Sequence, residues 1–243
     1  MVAVVAKDLG LAYMVREKLS LAPRDKRLAA TGGTIRGEGR KRFVQALDGV
    51  SFALKAGDRL GLVGGNGAGK TTLLKVLYGI YQPTAGRLDI TGRVDALFNI
   101  NLGFRQEASG RRNVELRGLI NGWTPDEIAA RMEKIIAFSE LGEFIDMPFK
   151  SYSQGMAARL AFATATSFEP EILLMDEWIG AGDAAFQQKA KLRMGELAEK
   201  AGIIILASHN AELISRTCNK VLELEKGKVK RFGDVKTPSV QGN

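Results

Sequence analysis

The feature that most constrains this chain is a glycine-rich turn between an apolar run, 60–63, and a helix-forming stretch. The eight residues after the run match the pattern G-x-x-x-x-G-K-[ST]. Small residues let successive backbone N–H groups point inward, so the turn makes an anion site at a helix start. Lys70 would then reach the β- and γ-phosphates of a nucleotide, and the Thr71 hydroxyl would bind Mg²⁺. The predicted phosphate-binding residues are Gly64, Gly65, Asn66, Gly67, Ala68, Gly69, Lys70, Thr71 and Thr72.

A second motif, Tyr-Ser-Gln-Gly-Met at residues 152–156, places Ser153 83 residues beyond Lys70. It precedes a stretch rich in small residues, 157–165, so Ser153 stands at the expected N-cap of a helix. A helix start of this kind presents N–H groups and a hydroxyl that suit a γ-phosphate. Taken alone, the motif is explained equally well as an ordinary N-cap.

Two further apolar runs end in polar residues. The run 172–175 leads into Asp176 and Glu177 and is typical of a buried parallel strand. At the end of such a strand Asp176 would hold Mg²⁺, directly or through water, and Glu177 would polarise an attacking water molecule. The run 203–206 is followed closely by His209, the only histidine in the chain.

Taken in order, and with Asp183 six residues after Glu177, these motifs resemble those of the ATP-binding-cassette ATPases over essentially the whole chain. Ser-Gln-Gly between the two nucleotide motifs separates that family from other phosphate-loop proteins. The resemblance implies ATP and Mg²⁺ as ligands and a head-to-tail homodimer that encloses two ATP molecules. The roles it implies are phosphate and Mg²⁺ binding by Lys70 and Thr71, metal support by Asp176, catalysis by Glu177, γ-phosphate contact by His209, a dimer-interface position for Asp183, and contact with ATP on the opposite subunit by Ser153, Gln154 and Gly155.

Two more ligand contacts follow from the same resemblance. In the family a glutamine links the γ-phosphate region to the transmembrane partner, and Asn99 is the best positional match here, since Gln106 lies too far along. The Asn99 amide oxygen can still coordinate Mg²⁺, although its stem is one methylene shorter. For stacking against adenine, Tyr13 is the first choice and Phe43 the alternative, and either aromatic residue would otherwise pack locally.

The sequence around two of these motifs resembles a particular subfamily. Residues 102–104 and 107–114 are similar to a segment in ATPase subunits of bacterial surface-polysaccharide exporters, and so are residues 175–189, where Gly-Ala-Gly-Asp replaces the commoner Ser-Ala-Leu-Asp. The resemblance implies export of a capsule, O-antigen or teichoic-acid type polymer together with a polytopic membrane permease. Because the sequence stops at Asn243, we expect no appended carbohydrate-binding domain.

Composition limits the compartment. No apolar run approaches the ~20 residues that a membrane helix needs, and the first eight residues lack a signal-peptide layout. Cys218 is the only cysteine, so no disulfide can form within the chain. Together with the resemblance, these features predict a peripheral protein at the cytoplasmic face of the bacterial inner membrane.

The net charge of +8 is concentrated in a basic insertion, residues 16–42, which has nine basic and three acidic residues. A solvated insertion loop is the first interpretation. Attraction to the anionic inner leaflet is the second, at ~1 kcal/mol per basic residue near the surface. Nucleic acid is not expected as a partner, because no interleaved aromatic residues accompany the charge.

The predicted fold class is α/β, a single nucleotide-binding domain over 1–243. Strands near 60–63, 172–176, 203–208 and 220–225 alternate with helices near 70–78, 185–200 and 210–217, which indicates a mostly parallel sheet core. Further strands are predicted near 2–7, 11–13 and 50–54, and the predicted fold includes an antiparallel β part. Helices at 125–141, capped by Thr124 with Pro125 first, and at 155–168 predict an inserted helical subdomain, roughly 101–167. Its outward face, with 98–104 and 107–113, would dock the permease.

Two other classes of function remain. A soluble cassette ATPase without a membrane partner usually carries two cassettes or long coiled-coil insertions, and neither occurs in this sequence. A nucleotide-sensing regulator that does not hydrolyse ATP is disfavoured because Glu177 and His209 are both in place.

Overall fold

The computed structural model describes residues 1–15, 34–36, 42–98, 103–176 and 183–235. The chain forms two compact units. The first comprises Met1–Ala96, Glu171–Trp178 and Gly202–Asn243, and the second comprises Leu97–Pro170 and Ile179–Ala201. Among the described residues, no helix is both long and apolar enough to cross a lipid bilayer.

Ten strands and six α-helices are present in the described residues. The strands are β1 (Ala3–Val15), β2 (Thr34–Arg36), β3 (Arg42–Lys55), β4 (Arg59–Val63), β5 (Ala85–Thr91), β6 (Val94–Leu97), β7 (Ile172–Asp176), β8 (Ile203–Ala207), β9 (Lys220–Glu225) and β10 (Lys228–Asp234). The helices are α1 (Lys70–Leu77), α2 (Gly110–Ile120), α3 (Pro125–Ser139), α4 (Gln154–Ala165), α5 (Ala184–Lys200) and α6 (Ala211–Thr217). Short 3₁₀ turns span Gly142–Asp146 and Phe149–Ser151.

The central sheet has the strand order β10-β9-β4-β8-β7-β6. Strands β9, β4, β8 and β7 run parallel to one another, and β10 pairs with β9 in the antiparallel direction. All five residues of β8 are buried, as expected for a strand in the middle of a parallel sheet. Because parallel strands end at the same edge, the residues that follow β4, β7 and β8 come together there.

A second, antiparallel sheet has the order β2-β3-β1-β5. The predicted strands near 2–7 and 11–13 are one strand, β1, so the predicted interruption is wrong. Its register with β3 shifts between Ala6 and Leu9, where Asp8 has a φ of 49°. Ser51 holds this bulge, since its hydroxyl accepts from the Asp8 N–H at 2.7 Å and donates to the Asp8 carboxylate at 3.0 Å. A bulge lets a strand continue through polar residues that resemble a turn in sequence. The strand predicted at 50–54 is likewise part of the longer β3.

The second unit is helical, and its helix starts follow the sequence closely. Thr124 caps α3 with a full capping box: its hydroxyl accepts from the Glu127 N–H at 3.2 Å, and the Glu127 carboxylate accepts from the Thr124 N–H at 2.8 Å. The helix ends at Ser139, two residues before the predicted end, because Glu140 adopts a left-handed conformation. Helix α2, which the sequence analysis did not predict, starts after the N-cap Ser109.

Candidate functional site

The predicted phosphate loop lies between β4 and α1 in the first unit, and two of its glycines have no room for a side chain. Gly64 has a φ of 145°, and a Cβ there would lie 2.3 Å from the carbonyl oxygen of Leu224. Gly69 has a φ of 109°, and its Cβ would lie 3.0 Å from the carbonyl oxygen of Ala46. Strands β9 and β3 therefore press on the two ends of the loop, and only glycine satisfies both the space and the conformation.

Helix α1 begins at the end of this loop with no side chain to cap it. Its N-cap is Gly69, and its first turn contains no acidic residue. The helix start thus keeps the positive end of the helix dipole for an incoming anion. Lys70, 8% exposed, spans the loop, with its ammonium donating to the carbonyl oxygens of Gly64 at 2.7 Å and Gly65 at 3.2 Å.

The structure brings Thr71 and Asp176 together, as the Mg²⁺ assignment requires. The Thr71 hydroxyl donates to Asp176 Oδ2 at 2.7 Å, although the two residues are 105 positions apart. Strand β8 separates β4 from β7 in the sheet, so the pair forms where α1 passes the end of β7. A hydroxyl and a carboxylate at this distance are hard oxygen donors of the kind that bind Mg²⁺ beside a phosphate, so the donor set fits that ion.

His209 follows β8 at the same edge of the sheet. The N–H of the preceding residue, Ser208, donates to the Leu62 carbonyl at 3.3 Å, and the Ser208 hydroxyl accepts from the Asn210 N–H at 3.1 Å. These bonds fix the turn between β8 and α6, and His209 is exposed on it. Because Ala207 pairs with both Leu62 and Asp176, the turn is level with the end of the phosphate-loop strand and with the carboxylate.

The Ser-Gln-Gly motif lies in the second unit. Ser153 is the N-cap of α4, as predicted, and its hydroxyl accepts from the Met156 N–H at 3.2 Å. Ser153 and Gln154 are exposed, and a Cβ on Gly155 would meet nothing closer than the Ser153 hydroxyl at 3.9 Å. The start of α4 is therefore an open surface.

Asp183 is also an N-cap, at the start of α5. One of its carboxylate oxygens accepts from the Phe186 N–H at 3.0 Å, and the other pairs with Arg159 of α4. The Phe186 N–H, and then the Arg159 guanidinium, hold the pKa of the Asp183 carboxyl below its ordinary value. Arg159 was not among the predicted site residues. The signal was an arginine six residues after Ser153, in a helix otherwise rich in small residues.

The remaining predicted site residues divide into two groups. Glu177, Asn99 and most of the basic insertion lie outside the described residues. The two aromatic candidates for adenine lie on paired strands: Tyr13 of β1, 44% exposed, is opposite Val44, and Phe43 of β3, 37% exposed, is opposite Met14. Both rings are accessible.

A glycine-rich loop between a parallel strand and a helix, with a carboxylate from another strand of the same sheet at the same edge, defines a phosphate-loop nucleotide-binding fold. Comparison with known protein families identifies the family within this class. Residues 47–180 match the ABC transporter family, and the chain belongs to that family.

Similar proteins agree with this membership. The chain is 40% identical to the O-antigen export system ATP-binding protein RfbE of Yersinia enterocolitica, over 93% of this chain and 96% of that protein. It is 43% identical to the corresponding RfbB of Myxococcus xanthus, over 82% of this chain but only 46% of the relative. It is 38% identical to the teichoic acids export ATP-binding protein TagH of Bacillus cereus, over 79% of this chain and 35% of the relative.

Solved structures show the same fold. An ATP-binding subunit of an ABC transporter superposes with a TM-score of 0.68 at 22% identity, covering 96% of this chain and 90% of that one. A bacterial ABC transporter cassette solved as a dimer superposes with a TM-score of 0.67 at 20% identity, covering 95% and 98%. The α/β fold of the ABC type, with its parallel core and antiparallel part, is therefore confirmed.

Proposed function

We propose that this chain is the ATP-binding and ATP-hydrolysing subunit of a transporter that exports a surface polysaccharide of the capsule, O-antigen or teichoic-acid type. The observation that carries the catalytic part is the Thr71–Asp176 hydrogen bond at the mouth of the phosphate loop. The names of the relatives support the cargo class, since RfbE matches this chain over nearly its whole length. They favour an exporter over a cassette ATPase without a membrane partner.

The predicted nucleotide-binding and catalytic residues would divide the chemistry among them. The N–H groups at the start of α1 and the Lys70 ammonium would hold the phosphates. Thr71 and Asp176 would hold Mg²⁺, with Asn99 as a further ligand, and the ion would neutralise charge that develops on the γ-phosphate. Glu177 would orient or deprotonate the attacking water, and His209 would contact the γ-phosphate from the turn after β8.

The predicted site residues of the second unit would act in the assembly of two chains around ATP. Ser153, Gln154, Gly155 and Asp183 would contact ATP bound to the opposite subunit or line the interface with it, so that two chains enclose two ATP molecules. The open start of α4 leaves room for such a contact. Tyr13 would stack on adenine, since its strand partner Val44 lies two residues from Ala46, whose carbonyl presses on Gly69.

A polytopic permease would dock on residues 98–104 and 107–113, and this docking would hold the chain at the cytoplasmic face of the membrane. The two arginines of that segment already have partners within the unit. Arg111 binds Asp146 at 2.8 Å, and Arg112 binds Glu115 at 2.7 Å. Docking through their charges would first have to break these pairs. The basic insertion 16–42 would add attraction to anionic lipid.

Two variants test the proposed function. Glu177→Gln should keep ATP binding and lower turnover by about 10²–10⁴-fold, because the amide keeps the shape of the carboxylate and loses its basicity. Lys70→Ala should lose ATP affinity itself, since a charged contact to phosphate disappears. Turnover within about threefold of wild type in E177Q, or unchanged ATP affinity in K70A, would contradict these assignments.

The transport part of the proposal needs a membrane measurement. We expect a gene for a polytopic membrane protein beside the gene for this chain, and we expect the two proteins to co-purify when they are expressed together. Absence of the chain from the purified permease would count against the exporter.

A further inference from the structure

Arg159 lies at the centre of a charged cluster that joins three helices of the second unit. Its side chain, 21% exposed, belongs to α4 and binds Asp183, the N-cap of α5. At 3.1 Å it also binds Glu140, the C-cap of α3. A planar guanidinium can serve two carboxylates at once, whereas a lysine ammonium offers a single point charge.

The two cations of the cluster pack against aromatic rings. The Arg159 guanidinium lies 5.2 Å from the centre of Phe186, which is 1% exposed, and Phe162 beside it is fully buried. Lys189 Nζ lies 4.6 Å from the centre of Phe138 and donates to Glu140 at 2.7 Å. The Asp183 and Glu140 side chains remain 59% and 48% exposed, so the rings do not shield these pairs from water. They hold the long cationic side chains in position through cation–π contacts.

The environment leaves Asp183 with one orientation. One oxygen accepts from the Phe186 N–H and the other from Arg159, so neither carboxylate oxygen is without a partner. The first bond belongs to α5 itself and would persist in any protein with this cap. The second connects Asp183 to α4, whose first residues follow Ser153. Arg159 is six residues beyond Ser153 on that helix, a rise of about 9 Å.

We propose that Arg159 is a positioning residue that fixes Asp183 relative to the exposed start of α4, so that Ser153 and Asp183 meet the second subunit as one preformed surface. This inference rests on the proposed function, in which both residues lie at the ATP-dependent dimer interface. It concerns assembly and not nucleotide affinity, because the phosphate loop belongs to the other unit. Preformed surfaces associate with less loss of freedom than mobile ones.

The first test compares Arg159→Met with Lys189→Met, both in the Glu177→Gln background. Methionine keeps the apolar stem over the aromatic rings in either position. Lys189 contacts Glu140 and the Phe138 carbonyl but not Asp183, so K189M controls for loss of a cation from the same cluster. We expect R159M to raise the ATP concentration needed for half-maximal dimerisation about tenfold, as for loss of a contact between coupled residues. K189M should stay within about threefold, and ATP affinity of both monomers should be unchanged.

A double-mutant cycle with Asp183→Asn separates positioning from general loss of structure. Asparagine caps a helix about as well as aspartate but carries no charge for Arg159. If Arg159 acts through Asp183, R159M should have at most about a threefold effect on dimerisation in the D183N background. An equal effect of R159M in both backgrounds, or normal dimerisation of R159M, would overturn the inference.

Two controls keep the result interpretable. If R159M does not fold, Arg159→Lys replaces it in the double-mutant cycle. Lysine keeps the positive charge over Phe186 but cannot bind both carboxylates at once. The E177Q parent reports on the proposed function, since a parent that fails to dimerise with ATP contradicts the dimer and the inference together. A parent that dimerises alongside an unaffected R159M contradicts the inference alone.

Discussion

The Thr71 hydroxyl donates to Asp176 Oδ2 across 2.7 Å, and this bond joins the first turn of α1 to the end of β7. The structure brings these two oxygen donors to the mouth of the phosphate loop from separate elements. With a nucleotide in place, the hydroxyl would turn its oxygen to Mg²⁺ and release the carboxylate for the ion or its water ligands. The pair would therefore hold the two proposed metal ligands close together before the metal binds.

Thr71→Val tests this pair, because valine keeps the shape of threonine and removes the oxygen. Loss of a hydrogen bond or ligand contact involving a charged group is worth about 1.5–3 kcal/mol, so we expect ATP affinity in the presence of Mg²⁺ to fall about tenfold or more. Chelation of Mg²⁺ should bring the wild-type affinity down to that of the variant. Thr71→Ser, which keeps the hydroxyl, should bind MgATP within about threefold of wild type. If the ATP affinity of T71V depended on Mg²⁺ as strongly as that of the wild type, the assignment of Thr71 as a metal ligand would be contradicted.

Gly61→Ala tests how closely α6 packs on the strand that carries the phosphate loop. A Cβ on Gly61 would lie 2.6 Å from Ile214 Cγ2, and Ile214 is 5% exposed. Overpacking of this kind costs about 1–3 kcal/mol of the free energy of unfolding, which urea denaturation can measure. Gly195→Ala on α5 is the matched control, because a Cβ there meets nothing within 4 Å. We expect it to be neutral or more stable by up to about 1 kcal/mol. Equal stability of G61A and wild type would show that α6 can move away.

The pKa of Asp183 gives a direct reading of the Arg159 contact. The Phe186 N–H first, and Arg159 second, lower it from the ordinary value of 3.8. A depressed carboxyl pKa in the folded state adds stability at neutral pH, and that contribution is lost as the pH falls below 3.8 through the folded value. Removal of Arg159 should raise the pKa only part of the way, because the helix N–H remains.

Carboxyl-carbon NMR titration of R159M against the parent protein measures this shift. Glu169, whose pKa is lowered by Lys200, serves as the internal reference because it should titrate identically in both. An Asp183 pKa that is unchanged in R159M would show that the pair is absent in solution.

The parts of the site that follow from local sequence were predictable. The phosphate loop and the strand ends at Asp176 and His209 depend on an apolar run next to a polar residue. Ser153 and Thr124 were recognised because a cap acts within one turn of its own helix. These interactions span only a few residues, so the sequence carries them directly.

Other elements could not be predicted from the sequence, and each has a physical reason. Helix α2 buries Asn113, whose amide donates to the Arg105 carbonyl at 3.0 Å, so the helix has no clear apolar face in sequence. Strand β5 is mostly exposed and shows no apolar run. The Arg159–Asp183 pair joins residues 24 positions apart on two helices, and only the packing of α4 against α5 brings them together.

The head-to-tail sandwich of two chains around two ATP molecules is the central claim, and Ser153→Arg tests it most directly. In the E177Q background, S153R should bind ATP as a monomer with unchanged affinity, because the phosphate loop is untouched. A bulky side chain at the start of α4 would occupy the approach of the γ-phosphate from the opposite subunit. Ser109→Arg, a change at the N-cap of α2, is the matched control and should dimerise like the parent.

The decisive measurement is ATP-dependent light scattering of S153R, of Lys70→Ala, and of an equal mixture of the two, all with E177Q. Each variant alone should remain monomeric. The mixture should dimerise, because the phosphate loop of the S153R chain and the Ser153 of the K70A chain complete one intact composite site. Normal dimerisation of S153R alone, or a mixture as inert as either variant, would contradict the sandwich.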